Sequence, residues 1–240
     1  MAGRLPSLEK YPGMENGGIS ADPLLKNLSV CYILWKRNHM TGPEPCGARA
    51  QEDRPMRVIT GAARGRRLKE LQGMETRPTT DRVKEGIFNI IQFDIEGRRV
   101  LDLFAGTGQL GIEALSRGAA RAVFVEQRRD AAALVRENLK ITGLGENARV
   151  VNGEALAFLA SCGEKFDLIF LDPPYAAELW DSALDAISRF DILSNHGIII
   201  CESPVERVMP ELAPPYRVHR TYRYGRIKVT TYHREEGDEA

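Results

Sequence analysis

The chain has no apolar run near its N-terminus that could span a bilayer. The longest there, "SVCYILW" from Ser29 to Trp35, falls far short of the roughly 20 residues a transmembrane helix needs. It is followed, not preceded, by Lys36 and Arg37, with no small-residue cleavage site, so no secretory signal is expected. Cysteine is scarce: Cys31, Cys46, Cys162 and Cys201 show no CxxC or metal-ligand spacing. That argues against a disulfide scaffold and for reduced thiols in the cytoplasm. Cys162 and Cys201 lack a base in any recognisable arrangement, so core packing, not covalent catalysis, is their expected role. His39, His196, His219 and His233 fall at no ligand spacing, and no metal is expected. Internal repeats and coiled-coil heptads are missing as well. What remains is ordinary globular material, 43% hydrophobic and 28% charged over 240 residues, enough for one large α/β domain with an appendage.

Net charge is also lacking, but by cancellation. Residues 54–84 carry nine basic and three acidic side chains, and residues 85–216 carry 12 basic and 20 acidic. Residues 217–234 carry six basic side chains and none acidic. An acidic centre flanked by basic segments suits contact with a polyanion through the flanks, because attraction acts within a Debye length of roughly 8–10 Å. Two solvated basic faces are the plainer alternative.

Residues 1–55 are rich in Gly, Pro and Asn and show no sustained period, as in "EKYPGMENGG". A loose or disordered extension is expected, and Met56, which opens the patterned part, is the expected native start. From there "MRVITGAARGRRLKEL" offers two strand-like runs around a Gly/Arg turn, a β-hairpin. "RPTTDRVKEGIFNII" reads as a helix started by Pro78 and Thr79–Thr80–Asp81, with Val83, Ile87, Ile90 and Ile91 as its apolar stripe. Residues 56–96 thus form a basic hairpin-and-helix unit ahead of a domain at 97–234, which alternates strand and helix. Strands are expected at 99–104, 121–126, 148–152, 166–172 and 197–202, and helices at 109–117, 128–142, 154–161 and 177–190. Continuously apolar strands such as "DLIFLD" and "GIIICE" belong to a parallel sheet covered on both faces. After Pro204 a short helical piece leads to "YRVHRTYRYGRIKVTTYHR", a closing antiparallel hairpin, and 235–240 is an acidic tail.

Two stretches carry chemistry. In "LDLFAGTGQLGIEALSRGAA" a strand meets a helix through Gly106-x-Gly108. Glycines there permit positive φ, and the helix N-terminus near Gln109 offers free N–H groups. A dinucleotide would bring a pyrophosphate to this turn, and Asp102 would repel it. S-adenosylmethionine brings cationic groups instead. At an effective dielectric of about 20 each unit charge pair at about 4 Å is worth roughly 4 kcal/mol, of opposite sign for the two ligands. The acid therefore favours S-adenosylmethionine. Glu126, ending the second strand, can accept both ribose hydroxyls of an adenosine, or can be a surface acid. Glu154 can accept from the adenine amine, with Ala155 giving a backbone contact, or can be a helix N-terminal acid held by the dipole.

The second stretch, "FDLIFLDPPY", ends a strand with Asp172-Pro173-Pro174-Tyr175. The prolines stiffen the exit and leave a carboxylate and a carbonyl as a fixed acceptor pair beside a flat aromatic. That array suits an exocyclic amine on a stacked planar base.

"DLFAGTG" with "DPPY" resembles the class I S-adenosylmethionine-dependent amino-methyltransferases. "RVITGAARGRRL", "RPTTDRVKEGIFNII", "LDLFAGTGQLGIEALSRGA" and "FLDPPY", in that order, resemble the RsmD-type bacterial enzymes from Met56 to about Arg234. The resemblance implies a Rossmann-like α/β fold: a mostly parallel seven-stranded sheet with helices on both faces, an antiparallel C-terminal hairpin and an N-terminal hairpin-and-helix extension. It implies methyl transfer to the 2-amino group of a guanine in 16S ribosomal RNA, by a monomer acting on an assembling small subunit. Carried over as cofactor contacts are Asp102, Phe104, Ala105, Gly106, Thr107, Gly108 and Glu126, with Gln127 beside them. Glu154 stands where the family often has Asp or Asn. Asp172, Pro173, Pro174 and Tyr175 become the target-amine site. Arg57, Arg64, Arg66, Arg67 and Lys69 on the hairpin, with Arg77, Arg82 and Lys84 at the helix start, are expected to grip RNA phosphates, and Arg220, Arg223, Arg226 and Lys228 can help in part. Three competing readings remain: an adenine-N6 methyltransferase on DNA or RNA, an NAD-dependent oxidoreductase, and a binding protein without turnover.

Overall fold

Strands whose alternate residues are apolar on both sides need two covering layers, and this chain builds them. The computed structural model describes residues 55–71, 81–174 and 178–235. The N-terminal extension, the helix start at Arg77–Thr80, Tyr175 and the acidic tail beyond Glu235 lie outside the described residues. The elements run α1 (Asp81–Ile90), β1 (Arg99–Asp102), α2 (Gln109–Ser116), β2 (Arg121–Glu126), α3 (Arg129–Thr142), β3 (Ala148–Asn152), α4 (Ala155–Ser161), β4 (Phe166–Leu171), α5 (Glu178–Arg189), β5 (Leu193–Pro204), β6 (Tyr216–Tyr224) and β7 (Ile227–Arg234). The seven strands lie in the order β3-β2-β1-β4-β5-β7-β6. The first five are parallel, and β7 runs antiparallel to both β5 and β6. Strand order reverses between β1 and β4, which is where open α/β sheets leave a crevice at the carboxyl ends of their strands. Asp102 is level with Phe170 across that junction.

One core packs α1, α2 and α3, through Phe88, Ile112 and Val135, onto Phe124, Phe170 and Ile200 of the sheet. The other packs α4 and α5, through Leu159, Leu184 and Ile187, onto Leu101, Val123, Ile169 and Ile199. Each buried side chain of this size contributes about 1.5–3 kcal/mol. A one-residue slip of a strand would exchange its two faces, so the double layer fixes the register that positions the crevice. No helix among the described residues is long and apolar enough to cross a membrane.

Three local expectations differ from what forms. The stretch Met56–Leu71 does turn back on itself, but as a minimal hairpin: one antiparallel bridge, Arg57 to Arg67, with Val58 N–H donating to the Arg66 carbonyl (3.0 Å) and Leu68 N–H to the Met56 carbonyl (2.8 Å). The donors between these runs go elsewhere. Ile59 and Thr60 N–H donate to the Glu113 carboxylate (2.7 and 2.9 Å). Ala62 and Ala63 N–H donate to the carbonyl and hydroxyl of Ser116 (2.7 and 2.9 Å). Gly61, at φ +87°, sits so close that a Cβ there would fall 1.7 Å from the Ser116 carbonyl oxygen. Second, β5 begins at Leu193, not 197, crossing a register irregularity opposite Phe166/Leu168 with His196 at φ +57°. The polar run Ser194–His196 hides that start from a hydrophobic pattern. Third, the segment after Pro204 is not helical but extended and turned. Lys228 and Tyr232 donate from their side chains to the carbonyls of Arg207 and Pro210 there.

Candidate active site

The turn between β1 and α2 holds Gly106 at φ +52° and Gly108 at φ +79°. Two carboxylates from strand ends pin it. Glu126 accepts from Gly106 N–H at 2.8 Å with one oxygen and from Arg128 N–H at 2.8 Å with the other. Asp102, buried at 3% exposure, accepts from Gly111 N–H in the first turn of α2 at 2.9 Å. Burial pushes the Asp102 carboxyl up to about 7; the Gly111 hydrogen bond opposes this, and the nearby Asp172 and Glu126 charges add to it. Ala105 N–H donates to the Val125 carbonyl, and the Thr107 carbonyl accepts from Asn138 at 2.9 Å. The loop is therefore shaped by its surroundings before any ligand arrives.

A cleft of about 390 Å³ opens over this turn. It is lined by Asp102, Phe104 to Thr107, Glu126, Gln127, Glu154 and Ala155, and also by Asp172, Pro173 and Pro174. The two motifs thus share one cavity. Pro173 is buried and Pro174 exposed. Gly108 packs behind the turn, against Val135 and Ile112. Glu154 both lines the cleft and caps α4, accepting from Leu156 and Ala157 N–H at 3.3 and 2.8 Å. Arg64, Arg66, Arg67 and Arg82 are exposed. They are not among the residues that line the cleft, and Arg77 lies outside the described residues.

Residues 56–233 match the family model described as "Conserved hypothetical protein 95". The Bacillus subtilis protein YlbH is 42% identical over 180 residues, covering 74% of this chain and 98% of its own. "Ribosomal RNA small subunit methyltransferase D" of Escherichia coli K12 is 37% identical over 185 residues, covering 77% of this chain and 93% of its own. The solved structure of Escherichia coli yhhF superposes with a TM-score of 0.70 at 36% identity, over 76% of this chain and 99% of that one. The chain belongs to the RsmD family of S-adenosylmethionine-dependent methyltransferases.

The residues present fit that cofactor. A carboxyl pushed up chiefly by burial, and further by two neighbouring acids, is a place where added positive charge is favourable and a pyrophosphate is not. Gln109, in the first turn of α2, is 8% exposed and lines the cleft, and its Oε1 has no hydrogen-bond partner among the described residues. A buried acceptor in that state suits a donor on a ligand. A single chain gave no pattern to mark Gln109.

Side chains that no motif marks attach the basic segment. Asn138, fully buried on α3, bonds both the N–H and the carbonyl of Lys69 (2.8 and 3.1 Å) as well as Thr107. Lys84, fully buried on α1, donates to the Arg57 carbonyl at 2.6 Å; burial lowers its pKa, and Glu113 opposes the shift most strongly. Met56, Glu70 and Leu71 consequently form one side of the cleft. Lys84, expected as a phosphate contact, is therefore a buried anchor instead, because its ammonium is taken by the Arg57 carbonyl of the distant segment.

Proposed function

We propose that the chain transfers the methyl group of S-adenosylmethionine to the exocyclic 2-amino group of a guanine in small-subunit ribosomal RNA. On this reading it is a cytoplasmic monomer that works on 16S RNA in an assembling subunit. The observation that carries the proposal is the shared cleft: Asp172 and Pro173 leave β4 into the same cavity as the Gly106–Gly108 turn. The likeness to "Ribosomal RNA small subunit methyltransferase D" supports the RNA class.

In this reading Asp102, Phe104 to Gly108, Glu126, Gln127, Glu154 and Ala155 hold the cofactor, which supplies an electrophilic methyl group on a cationic sulfur. The guanine amine is a poor nucleophile because its lone pair is delocalised into the ring. Asp172 and the Pro173 carbonyl accept its two N–H bonds, which favours a pyramidal nitrogen and stabilises the positive charge that develops on it. Pro174 stiffens the exit, and Tyr175 supplies the stacking face for a base drawn out of its helix. Holding nitrogen, methyl and sulfur in line is worth on the order of 7–11 kcal/mol in good cases. Arg64, Arg66, Arg67, Arg77 and Arg82 grip phosphates. Incubating the protein with tritiated cofactor and separated ribosomal subunits, then digesting to nucleosides, tests the base and the substrate together. Label in methyl-2-guanosine from small-subunit material is expected; label only in adenosine would transfer the proposal to adenine-N6 chemistry.

A further inference from the structure

One wall of the cleft is unused by the roles above. Leu171 of β4 is level with Cys201 of β5, so the chain leaving β4 as Asp172–Pro173 runs beside Glu202–Ser203. Both β5 residues line the cleft, and both are more than nine-tenths buried, at 8% and 2% exposure. Their backbone is fixed from two sides. Glu202 and Ser203 pair with Val229 and Lys228 of β7. The buried Trp180 indole N–H donates to the Glu202 carbonyl at 2.9 Å, with the Arg207 guanidinium stacked 5.0 Å over the ring. Rigid support of this kind is what a recognition group needs. The Ser203 hydroxyl, moreover, is buried without a hydrogen-bond partner among the described residues. A hydroxyl left unpaired in the interior is unfavourable unless something that enters the cleft completes it.

We infer that Glu202 and Ser203 read the ring atoms on either side of the amine held by Asp172 and Pro173, and thereby select guanine. The inference rests on the methyl-transfer reading above. Beside its 2-amino group guanine presents N1–H, a donor, on one flank and N3, an acceptor, on the other. Beside its 6-amino group adenine presents acceptors on both flanks, N1 and N7. A carboxylate oxygen can accept, and a serine hydroxyl can donate. Glu202 therefore complements the guanine N1–H and would meet a lone pair on adenine, while Ser203 complements N3. The clamp alone takes either amine; its neighbours on β5 make the choice.

The test uses the full chain and small-subunit particles assembled from RNA with a defined base at the methylated position. The base is guanine, 2-aminopurine (same amine and N3, no N1–H) or 3-deazaguanine (same amine and N1–H, no N3). The wild type is expected to prefer guanine over each analogue in kcat/KM by about tenfold to a hundredfold, the worth of a hydrogen bond to a charged or otherwise unpaired buried group. Glu202→Gln should collapse the preference over 2-aminopurine and leave that over 3-deazaguanine, and Ser203→Ala should do the reverse. Calorimetric affinity for S-adenosylmethionine, which a merely misfolded variant would lose, should stay near the wild-type value in both. Unchanged ratios in both variants would overturn the inference and leave the methyl-transfer reading standing. If either variant loses cofactor binding, the wild-type ratios decide: indifference to the loss of N1–H and N3 overturns it. A wild-type protein that puts no methyl on guanine N2 sinks the underlying reading instead.

Discussion

Among the described residues, the charged side chains lining the cleft are Glu70, Asp102, Glu126, Glu154, Asp172 and Glu202 against a single cation, Arg128. The segment that closes one side of it, Pro55 to Leu71, carries Arg57, Arg64, Arg66, Arg67 and Lys69 against Glu70 alone. Both regions hold their main chain in the same way, through side-chain oxygens that accept from backbone N–H groups. In the cleft, carboxylates of Asp102, Glu126 and Glu154 accept from backbone N–H groups, so side chains shape the main chain around a ligand. In the segment, backbone N–H groups donate to Glu113, Ser116 and Asn138, so the main chain is anchored; Arg57 pairs with Asp81 and Lys69 with Glu137, and Arg64, Arg66 and Arg67 are left exposed. A negative pocket suits a cationic cofactor and an amine; a positive shelf suits a polyanion. Binding of a small cationic ligand and of a polyanion is therefore expected to be separable by mutation.

That separation is sharpest at Asp172. Asp172→Ala should lower the single-turnover methylation rate by about 10²–10³-fold, with cofactor affinity by calorimetry changed much less. Comparable losses in both would mean that the residue serves the cofactor and not the amine. Next comes the anchor. Glu113→Ala strands the Ile59 and Thr60 N–H groups and the Arg117 guanidinium, and removes the strongest charge opposing the Lys84 shift. Urea unfolding should show a loss of about 3 kcal/mol. A loss near zero would show that the segment is not held through this acid.

Asp102 tests the electrostatics of the cleft. Its carboxyl titrates at about 7 in the folded protein against 3.8 ordinarily. Between those values the folded state holds the extra proton, so stability of the free protein falls as pH rises through that window. A cationic ligand prefers the ionised form. Binding S-adenosylmethionine at about pH 6 should thus release up to about one proton, and affinity should rise roughly tenfold per pH unit at most before levelling above about 7. Calorimetry in two buffers of different ionisation heat counts the proton, and Asp102→Asn should abolish its release. The smallest effect is expected on the shelf: Arg64, Arg66 and Arg67 changed together to Ala should weaken RNA binding by about tenfold and reduce the salt slope by about 2–3. Cofactor affinity should not move, and an unchanged salt slope would remove these arginines from the interface.

Much of the frame was readable because it is local. Alternation and apolar runs marked the five parallel strands, and an acid at the end of β1 and of β2 marked two residues that line the crevice. Double proline after an apolar strand marked the exit of β4. What escaped is non-local. Met56, Val58 and Leu68 have the apolar spacing of a hairpin and do pair across it, yet the donors of Ile59, Thr60, Ala62 and Ala63 are claimed by Glu113 and Ser116 on a helix far along the chain. Asn138 carries no signal in the sequence, and Lys84 reads as a phosphate contact until the segment covers it. Glu154 shows the limit in one residue: of the two roles open to it, the helix cap is directly visible, and the same side chain still borders the cleft. Ser203 and Gln109 stand out only through their unpaired burial, which no spacing reveals.

The most direct test is a crystal structure of the full chain with S-adenosylhomocysteine. The ribose hydroxyls are expected on Glu126 and the sulfur beside the Gly106 turn, with open space between that sulfur and the Asp172–Pro173 pair wide enough for a planar base. The cofactor product seated outside this cleft, or its sulfur turned away from Asp172, would contradict the assignment of the two motifs to a single methyl-transfer site.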